Sequence, residues 1–334
     1  MDVYDLLKKA ARINSPRLKL LGLFLLHITR QCYLGVFLDP ILACNLRCRM
    51  CYFSDENYRK ELKGSIPIEE LRQIAKALFH RALKVQIGCG AEPTLYKKLP
   101  EVISLAKKQK VPFVSITTNG NLLTEELIEE YIEAGLDELT LSMHGVYEKT
   151  YESFMQNASY EKFCRVIELL SEARRKSGLN IRINYTINAD NLDELGELFG
   201  HFPHMEIDTL QLRPIENIGK ADYDNYSHER LIENYIKVIE RLKSEAQARK
   251  IRCIAPSYEQ LCAPEGQNLR AAIFDSSYCY ISPKFCWREG FNFHTDSFES
   301  YSRRQGIARK MLSDVLAGPA GLYRQKRSLN YELS

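Results

Sequence analysis

A chain of 334 residues, 45% apolar and 27% charged, buries a core of its own without disulfide staples, which excludes a peptide-like or disordered protein. Its 46 basic and 43 acidic side chains leave a net charge of +3, too near balance to argue a nucleic acid or an anionic membrane as partner from global charge. Ten cysteines behind an N-terminal DVYDLLKKAAR, with no apolar signal core, read as reduced thiols of a cytoplasmic protein. In chain order the first strong signal is LKLLGLFLLHI, Leu18 to Ile28, about half the ~20 residues of a membrane-spanning helix. It is expected to pack on the domain. The alternative is an interfacial anchor, because Lys8, Lys9, Arg12, Arg17 and Lys19 lie nearby, but membrane contact is not expected.

From Gly35 onward strand-like and helix-like periods alternate. VFLDPILA is followed by helical spacing through Ile68, Leu71, Ile74, Leu78 and Leu83, then by the strand-like KVQIG. The cycle repeats through VPFVSITT, LDELTLS, NIRINYTI and IDTLQLR, each preceded by a helical segment. Thr124 is placed as an N-cap, and Gly135 and Gly178 as helix stops. Six such units predict a parallel α/β sheet covered by helices, and periodicity leaves an open sheet and a barrel equally admissible. Beyond them come a long amphipathic helix, LIENYIKVIERLKSEAQARK, a short strand IRCIA, an irregular stretch from Pro256 to about Asp296, and a closing helix from about Ser302 to Leu316. The expected organisation is a helical extension over 1–34, a core over 35–220 and a C-terminal helix with a cysteine-containing cap over 221–334.

The densest chemistry follows the first strand. In ILACNLRCRMCYF, Cys44, Cys48 and Cys51 stand in one short loop, and no second CxxC pair exists to complete a four-ligand zinc site. Three thiolates can wrap a four-iron cluster and leave one iron open to an outside ligand. The C-terminal end of a parallel strand is also where barrels and open sheets place their active sites.

CNLRCRMC resembles the signature loop of the radical S-adenosylmethionine superfamily, with Met50 as the bulky residue before the last cysteine. GCGAEPTLY resembles that family's GGEP segment through Gly90, Ala91, Glu92 and Pro93, with Ala91 departing from glycine. TTNG at 117–120 and SMHG at 142–145 are similar to further family segments. The resemblance spans about Phe37 to Pro214. It implies a partial (β/α)6 TIM-like barrel and an iron-sulfur oxidoreductase-type enzyme whose four-iron cluster is held by Cys44, Cys48 and Cys51 as metal ligands. It further implies S-adenosylmethionine bound by Met50, Gly90, Ala91, Glu92, Pro93, Ser142 and Asn184, with Glu92 accepting from the methionine ammonium. One-electron cleavage of that cofactor to a 5'-deoxyadenosyl radical, fed by a donor such as flavodoxin or ferredoxin, is the implied activity.

Around this site Cys89, Cys32, Cys164 and Tyr185 read as packing. His144 reads as an unpartnered loop histidine with an opportunity to bind substrate or donate a proton, and Arg213 as either an anion grip or a salt bridge at the barrel mouth. Cys253, Cys262, Cys279 and Cys286 raise an auxiliary iron-sulfur cluster of the SPASM or twitch type, although their spacing departs from those patterns and packing is the expected role. The radical enzyme of molybdenum-cofactor synthesis is a neighbouring resemblance, disfavoured because the chain ends NYELS and not in that enzyme's Gly-Arg-Arg. The expected substrate is a peptide or protein, with a small-molecule metabolite as the alternative, and a non-catalytic metal or electron-relay protein as the competing class. No nucleic acid partner is indicated.

Overall fold

A computed structural model describes residue 13 and residues 15–216, 221–223, 229–262 and 271–316. Lys8, Lys9, Arg12 and the C-terminal tail lie outside the described residues. After helix α1 (Pro16–Ile28), strand β1 (Leu34–Leu38) leads through α2 (Glu56–Glu61) and α3 (Ile68–Leu78) to β2 (Ala82–Ile87). Then follow α4 (Leu99–Lys108), β3 (Phe113–Thr118), α5 (Glu125–Glu133), β4 (Glu138–Met143), α6 (Glu148–Phe154), α7 (Tyr160–Ser177), β5 (Asn180–Ile187), the short α8 (Leu198–His201) and β6 (Thr209–Pro214). Strands β1 to β6 pair in sequence order, all parallel, as the six predicted units require. This is the partial (β/α)6 barrel core.

Local chemistry sets most boundaries. Thr124 accepts from Leu127 N and starts α5, and Gly178 stops α7 in a left-handed conformation at φ 75°. The helix expected to run to Leu83 instead ends at Leu78. A short 3-10 turn, Phe79–Arg81, then turns the chain so that Ala82 already pairs with Leu34.

The C-terminal region differs from expectation. It carries α9 (Glu229–Ala248), β7 (Arg252–Ile254), α10 (Tyr258–Cys262), α11 (Ala271–Ser277), β8 (Tyr278–Ser282), β9 (Phe285–Cys286), α12 (Phe298–Arg304) and α13 (Ile307–Leu316). β7, the expected strand IRCIA, pairs parallel with β6, whereas the stretch expected to be irregular contributes β8, parallel to β1, and β9 to one nine-stranded sheet ordered β7-β6-β5-β4-β3-β2-β1-β8-β9. The aromatic run Tyr278, Tyr280 explains part of this: Tyr278 stacks on Phe37 at 4.9 Å, a cross-strand aromatic pair.

The barrel wall has two unlike faces. Val36, Val85, Ile116, Leu139, Ile183 and Leu210 point outward and are buried under the helices. The alternate residues of the same strands, among them Gln86, Thr117, Ser142, Asn184 and Arg213, point inward, so the lumen is polar. Within it Arg182 donates to Gln211 Oε1 at 2.8 Å and to Glu138 Oε2 at 3.1 Å, and burial pushes the Lys84 ammonium down to about 8.

Helix α1 packs on the domain as expected, with Leu23, Phe24 and Leu26 resting against the main core. It runs against α13 and α11, but of its apolar residues only Leu20 is fully buried, against Ile273 and Val315. Leu18, Leu21, Leu25 and Ile28 face outward.

Candidate active site

The C-terminal ends of β1 to β6 enclose a cavity of about 290 Å³. Cys44, Cys48 and Cys51 line it, all three as free thiols in the loop after β1. The loop is pinned from several sides. Arg47 N donates to Gln156 O and Arg49 N to Phe154 O, both at 2.9 Å, while Cys51 N closes a turn on Cys48 O. Tyr52, directly after the triad, donates its hydroxyl to Gly90 O at 2.6 Å and ties this loop to the one after β2.

Burial pushes the Cys44 thiol up to about 12, helped by the neighbouring Glu92 carboxylate, and Cys51 up to about 11; Cys48 is raised well above its ordinary value. Bound iron reverses this by stabilising thiolates. Among the described residues no three His, Cys, Asp or Glu side chains gather closely enough for a single metal ion. Structural zinc takes four protein ligands, whereas a four-iron cluster held by three cysteines keeps one iron open, so this donor set fits the cluster better than zinc.

The loop after β2 is built on an acid that sequence reasoning passed over. Asp39, fully buried at the end of β1, accepts from Cys89 N at 2.7 Å and Gly90 N at 3.1 Å through Oδ1, and from the Tyr280 hydroxyl at 2.8 Å through Oδ2. It holds the loop and fastens β8 to it. Burial raises its carboxyl, and these donors oppose that rise. Gly88 opens the turn at φ 80°, where a Cβ would lie 2.4 Å from Thr117 O. Pro93 is not among the cavity-lining residues; it packs behind Gly88 and starts a 3-10 turn, so its part is to stiffen the loop.

Glu92 lines the cavity, but its carboxylate is engaged within the protein. Oε1 accepts from Thr94 N and from the Thr94 and Thr118 hydroxyls, and Oε2 accepts from Asn119 N at 2.9 Å. The expected bond to a methionine ammonium is therefore at most a shared one, and the observed work of Glu92 is to lock the loop after β2 to the TTNG loop after β3. Asn119 in turn donates to Asn45 Oδ1 at 2.9 Å and faces Cys44 Sγ at 4.0 Å. Only the TTNG resemblance pointed to it.

Met50, Gly90, Ala91, Ser142 and Asn184 also line the cavity. Met50 packs with Phe154, Ile215 and Tyr223, and its sulfur accepts from Asn188 Nδ2 at 3.6 Å. His144 lines it too. Thr186 N donates to His144 Nδ1 at 3.3 Å and burial lowers the imidazole to about 4, so the ring is neutral with its proton on Nε2. Two polar atoms here have no hydrogen-bond partner among the described residues: Asn184 Oδ1 and Arg213 Nε. No ion pair within 4 Å joins Arg213 to an acid among the described residues, although Glu216 lines the same cavity and its charge acts on the guanidinium.

The four C-terminal cysteines do not meet at this mouth. Cys253 on β7 pairs with Leu210, and Cys279 on β8 pairs with Val36. Directly paired residues share a face, so both thiols lie on the helix side of the sheet, near its opposite edges. Cys286 sits on β9 opposite Ile281, and Cys262 is exposed on α10.

Residues 39–202 match the family model described as the radical SAM superfamily. Those residues form a radical SAM domain. Its cofactors are accordingly a four-iron cluster and S-adenosylmethionine, and the thiol triad and its cavity fit both. A probable GTP 3',8-cyclase from Sulfolobus acidocaldarius is 30% identical over 186 residues, 56% of this chain and 57% of that protein. Another, from Saccharolobus islandicus, is 28% identical over 247 residues, 73% of this chain and 74% of its own length. Among solved structures, Streptococcus suis SuiB bound to S-adenosylmethionine superposes with a TM-score of 0.58 at 17% identity, covering 77% of this chain and 60% of SuiB. The anSMEcpe structure with bound AdoMet gives 0.53 at 20% identity, covering 66% and 61%. These two share the fold. The chain thus spans under two thirds of the first relative and of SuiB.

Proposed function

We propose that this radical SAM chain acts on a small substrate carrying an anionic group. When bound, the cluster and S-adenosylmethionine supply one-electron cleavage of the sulfonium and a 5'-deoxyadenosyl radical for hydrogen abstraction. The chain's own part is positional. Cys44, Cys48 and Cys51 hold the cluster, Asp39 and Glu92 fix the loop at Gly90 and Ala91 against it, and Ser142, Asn184 and the His144 Nε2–H offer polar contacts. A flavodoxin- or ferredoxin-like donor supplies the electron.

One observation carries the substrate class: the Arg213 guanidinium lines the cavity with a buried Nε that has no hydrogen-bond partner among the described residues. A buried cation left open in this way is matched by a phosphate or carboxylate that grips it bidentately. The relatives' name, probable GTP 3',8-cyclase, agrees with a small anionic substrate. The peptide reading leaned on an auxiliary-cluster module, and Cys253, Cys279 and Cys286 stand on three different strands.

The test is anaerobic release of 5'-deoxyadenosine with dithionite, stimulated in parallel by nucleoside triphosphates, other small anionic metabolites and peptides. Arg213→Ala is expected to leave substrate-free cleavage unchanged and to raise KM for the stimulating anion about 10- to 100-fold, the worth of a charged hydrogen bond. Stimulation by peptides alone, or an Arg213→Ala effect confined to S-adenosylmethionine affinity, sinks the proposal.

A further inference from the structure

A second built groove lies away from the cavity. It measures about 400 Å³ and runs between the C-terminal end of α1 and the helices α12 and α13. Exposed Arg30, Arg303 and Arg309 line it, with Arg81 at its floor. Arg81 is only 1% exposed; it donates to Leu26 O and His27 O, stacks on Tyr33 and Phe298, and reaches Glu299 at 3.5 Å. Its Nε is nonetheless unpartnered among the described residues, and so is the hydroxyl of Ser302, a residue 5% exposed that lines the same groove. Glu299 is the acid of the groove, and it is shared between Arg81 and His80. Two orphaned buried donors under a ring of arginines are a site made for an anion.

Beside the groove runs the uncovered face of α1. Leu18, Leu21, Leu25 and Ile28 follow one another at spacings of three and four residues, so they share a helix stripe, and Leu18, Leu25 and Ile28 are 58%, 49% and 50% exposed. α1 and α13 are antiparallel: Leu20 packs on Val315 at one end, and Ile28 lines the groove together with Gly306 and Ala308 at the other. α13 adds Leu312 and Leu316 as exposed apolar residues. On α1 and α13 the only acid is Asp314, which is buried, while Arg17, Arg309 and Lys310 are exposed; neighbouring α11 contributes one exposed acid, Asp275.

We propose that α1, α13 and their groove dock this protein on an anionic phospholipid surface, with a headgroup phosphate in the groove and the leucine stripe among the acyl chains. An apolar stripe bounded by cations is the pattern of a helix lying in a membrane interface. The stripe is too short to cross a bilayer, and no described helix is long and apolar enough to do so. A second copy fits worse, because a two-fold contact across this face would set its arginines against their own images. The docking face is distinct from the catalytic mouth: α1 leads into the N-terminal end of β1, and the cluster loop leaves the C-terminal end.

The experiment uses cluster-loaded full-length protein and vesicles of phosphatidylglycerol with phosphatidylcholine, against phosphatidylcholine alone. Co-sedimentation with the anionic vesicles is expected, weakened by salt. Arg303→Glu with Arg309→Glu, and separately Leu21→Gln with Leu25→Gln, should each weaken it at least tenfold while cluster absorbance stays unchanged as the check on folding. Equal binding to both vesicles, or variants that bind like the wild type, overturn the proposal. A dimer that dissociates in the leucine variant, with no vesicle binding, reassigns the face to a second copy. Binding of inorganic phosphate without vesicle binding reassigns the groove to a free anion, and a dependence on the arginines but not the leucines points to an acidic protein.

Discussion

The two ends of the barrel solve the same problem in different ways. At the catalytic mouth, buried acids are fully used: Asp39 and Glu92 accept from backbone and hydroxyl donors after β2, at the end of β3 and on β8, and the polar atoms left over, Asn184 Oδ1 and Arg213 Nε, belong to residues of one cavity. At the foot the buried group is a cation, Arg81, and the atoms left over are donors under arginines. Buried polar atoms are almost always paired in a folded protein, so unpaired ones grouped in a cavity mark where a ligand completes the structure. Both ends carry such a mark, but only the mouth also carries a family motif.

The comparison breaks most completely at the triad. Cys44→Ala, Cys48→Ala or Cys51→Ala should each abolish the cluster after anaerobic reconstitution, read as loss of essentially all iron and of 5'-deoxyadenosine release, with vesicle binding at the foot retained. Stoichiometric zinc and no iron in wild-type protein would contradict the donor-set argument.

Glu92 comes next. Because its carboxylate locks two loops, Glu92→Ala leaves the Thr94 and Asn119 amides unpaired and should cost about 2 to 4 kcal/mol in denaturant titrations as well as weaken S-adenosylmethionine binding. A variant that loses cofactor affinity at unchanged stability would show that the ammonium contact, and not the loop lock, is its main work.

His144 gives a smaller, pH-dependent effect. Its pKa is lowered to about 4 in the folded chain from an ordinary 6.5, so the unfolded chain takes up the proton first as pH falls. Stability from this group is complete above about pH 6.5 and is lost as pH drops toward 4, by up to about 3 kcal/mol at 1.36 kcal/mol per unit. His144→Asn keeps an acceptor for Thr186 N and should flatten that part of the stability profile; an identical slope in the variant would place the titration elsewhere.

The smallest expected effect is at the foot. Leu25 is already exposed, so Leu25→Gln should change folding stability by less than about 0.5 kcal/mol. A thermal shift of several degrees would mean that something covers this face in the free protein.

How much was legible in the sequence varies with the range of the interaction. The strand order from β1 to β6, the Thr124 and Gly178 helix ends, and the placement of Cys44, Cys48, Cys51, Met50, Gly90 and Ser142 around one cavity all follow from patterns a few residues long. Asp39 escaped notice because its partners are 50 and 241 residues away. The C-terminal thiols are near one another in the chain, which raised an auxiliary cluster beside the expected packing role, whereas strand pairing and the two-residue side-chain period sent Cys253 and Cys279 under the helices at separate edges.

By itself the sequence determined the chemistry of the mouth: a three-thiol loop after a parallel strand, a small-residue loop after the next, and the alternating periods that lay a parallel sheet under helices behind them. Tertiary structure alone decided that Arg213 Nε has no hydrogen-bond partner among the described residues, that Glu92 is spent on loops, and that α1 keeps its leucines outside. Local periods record which side chains share an element. Whether a polar atom finds a partner, or an apolar stripe a cover, depends on residues brought together from distant parts of the chain, such as Arg81 and Ser302.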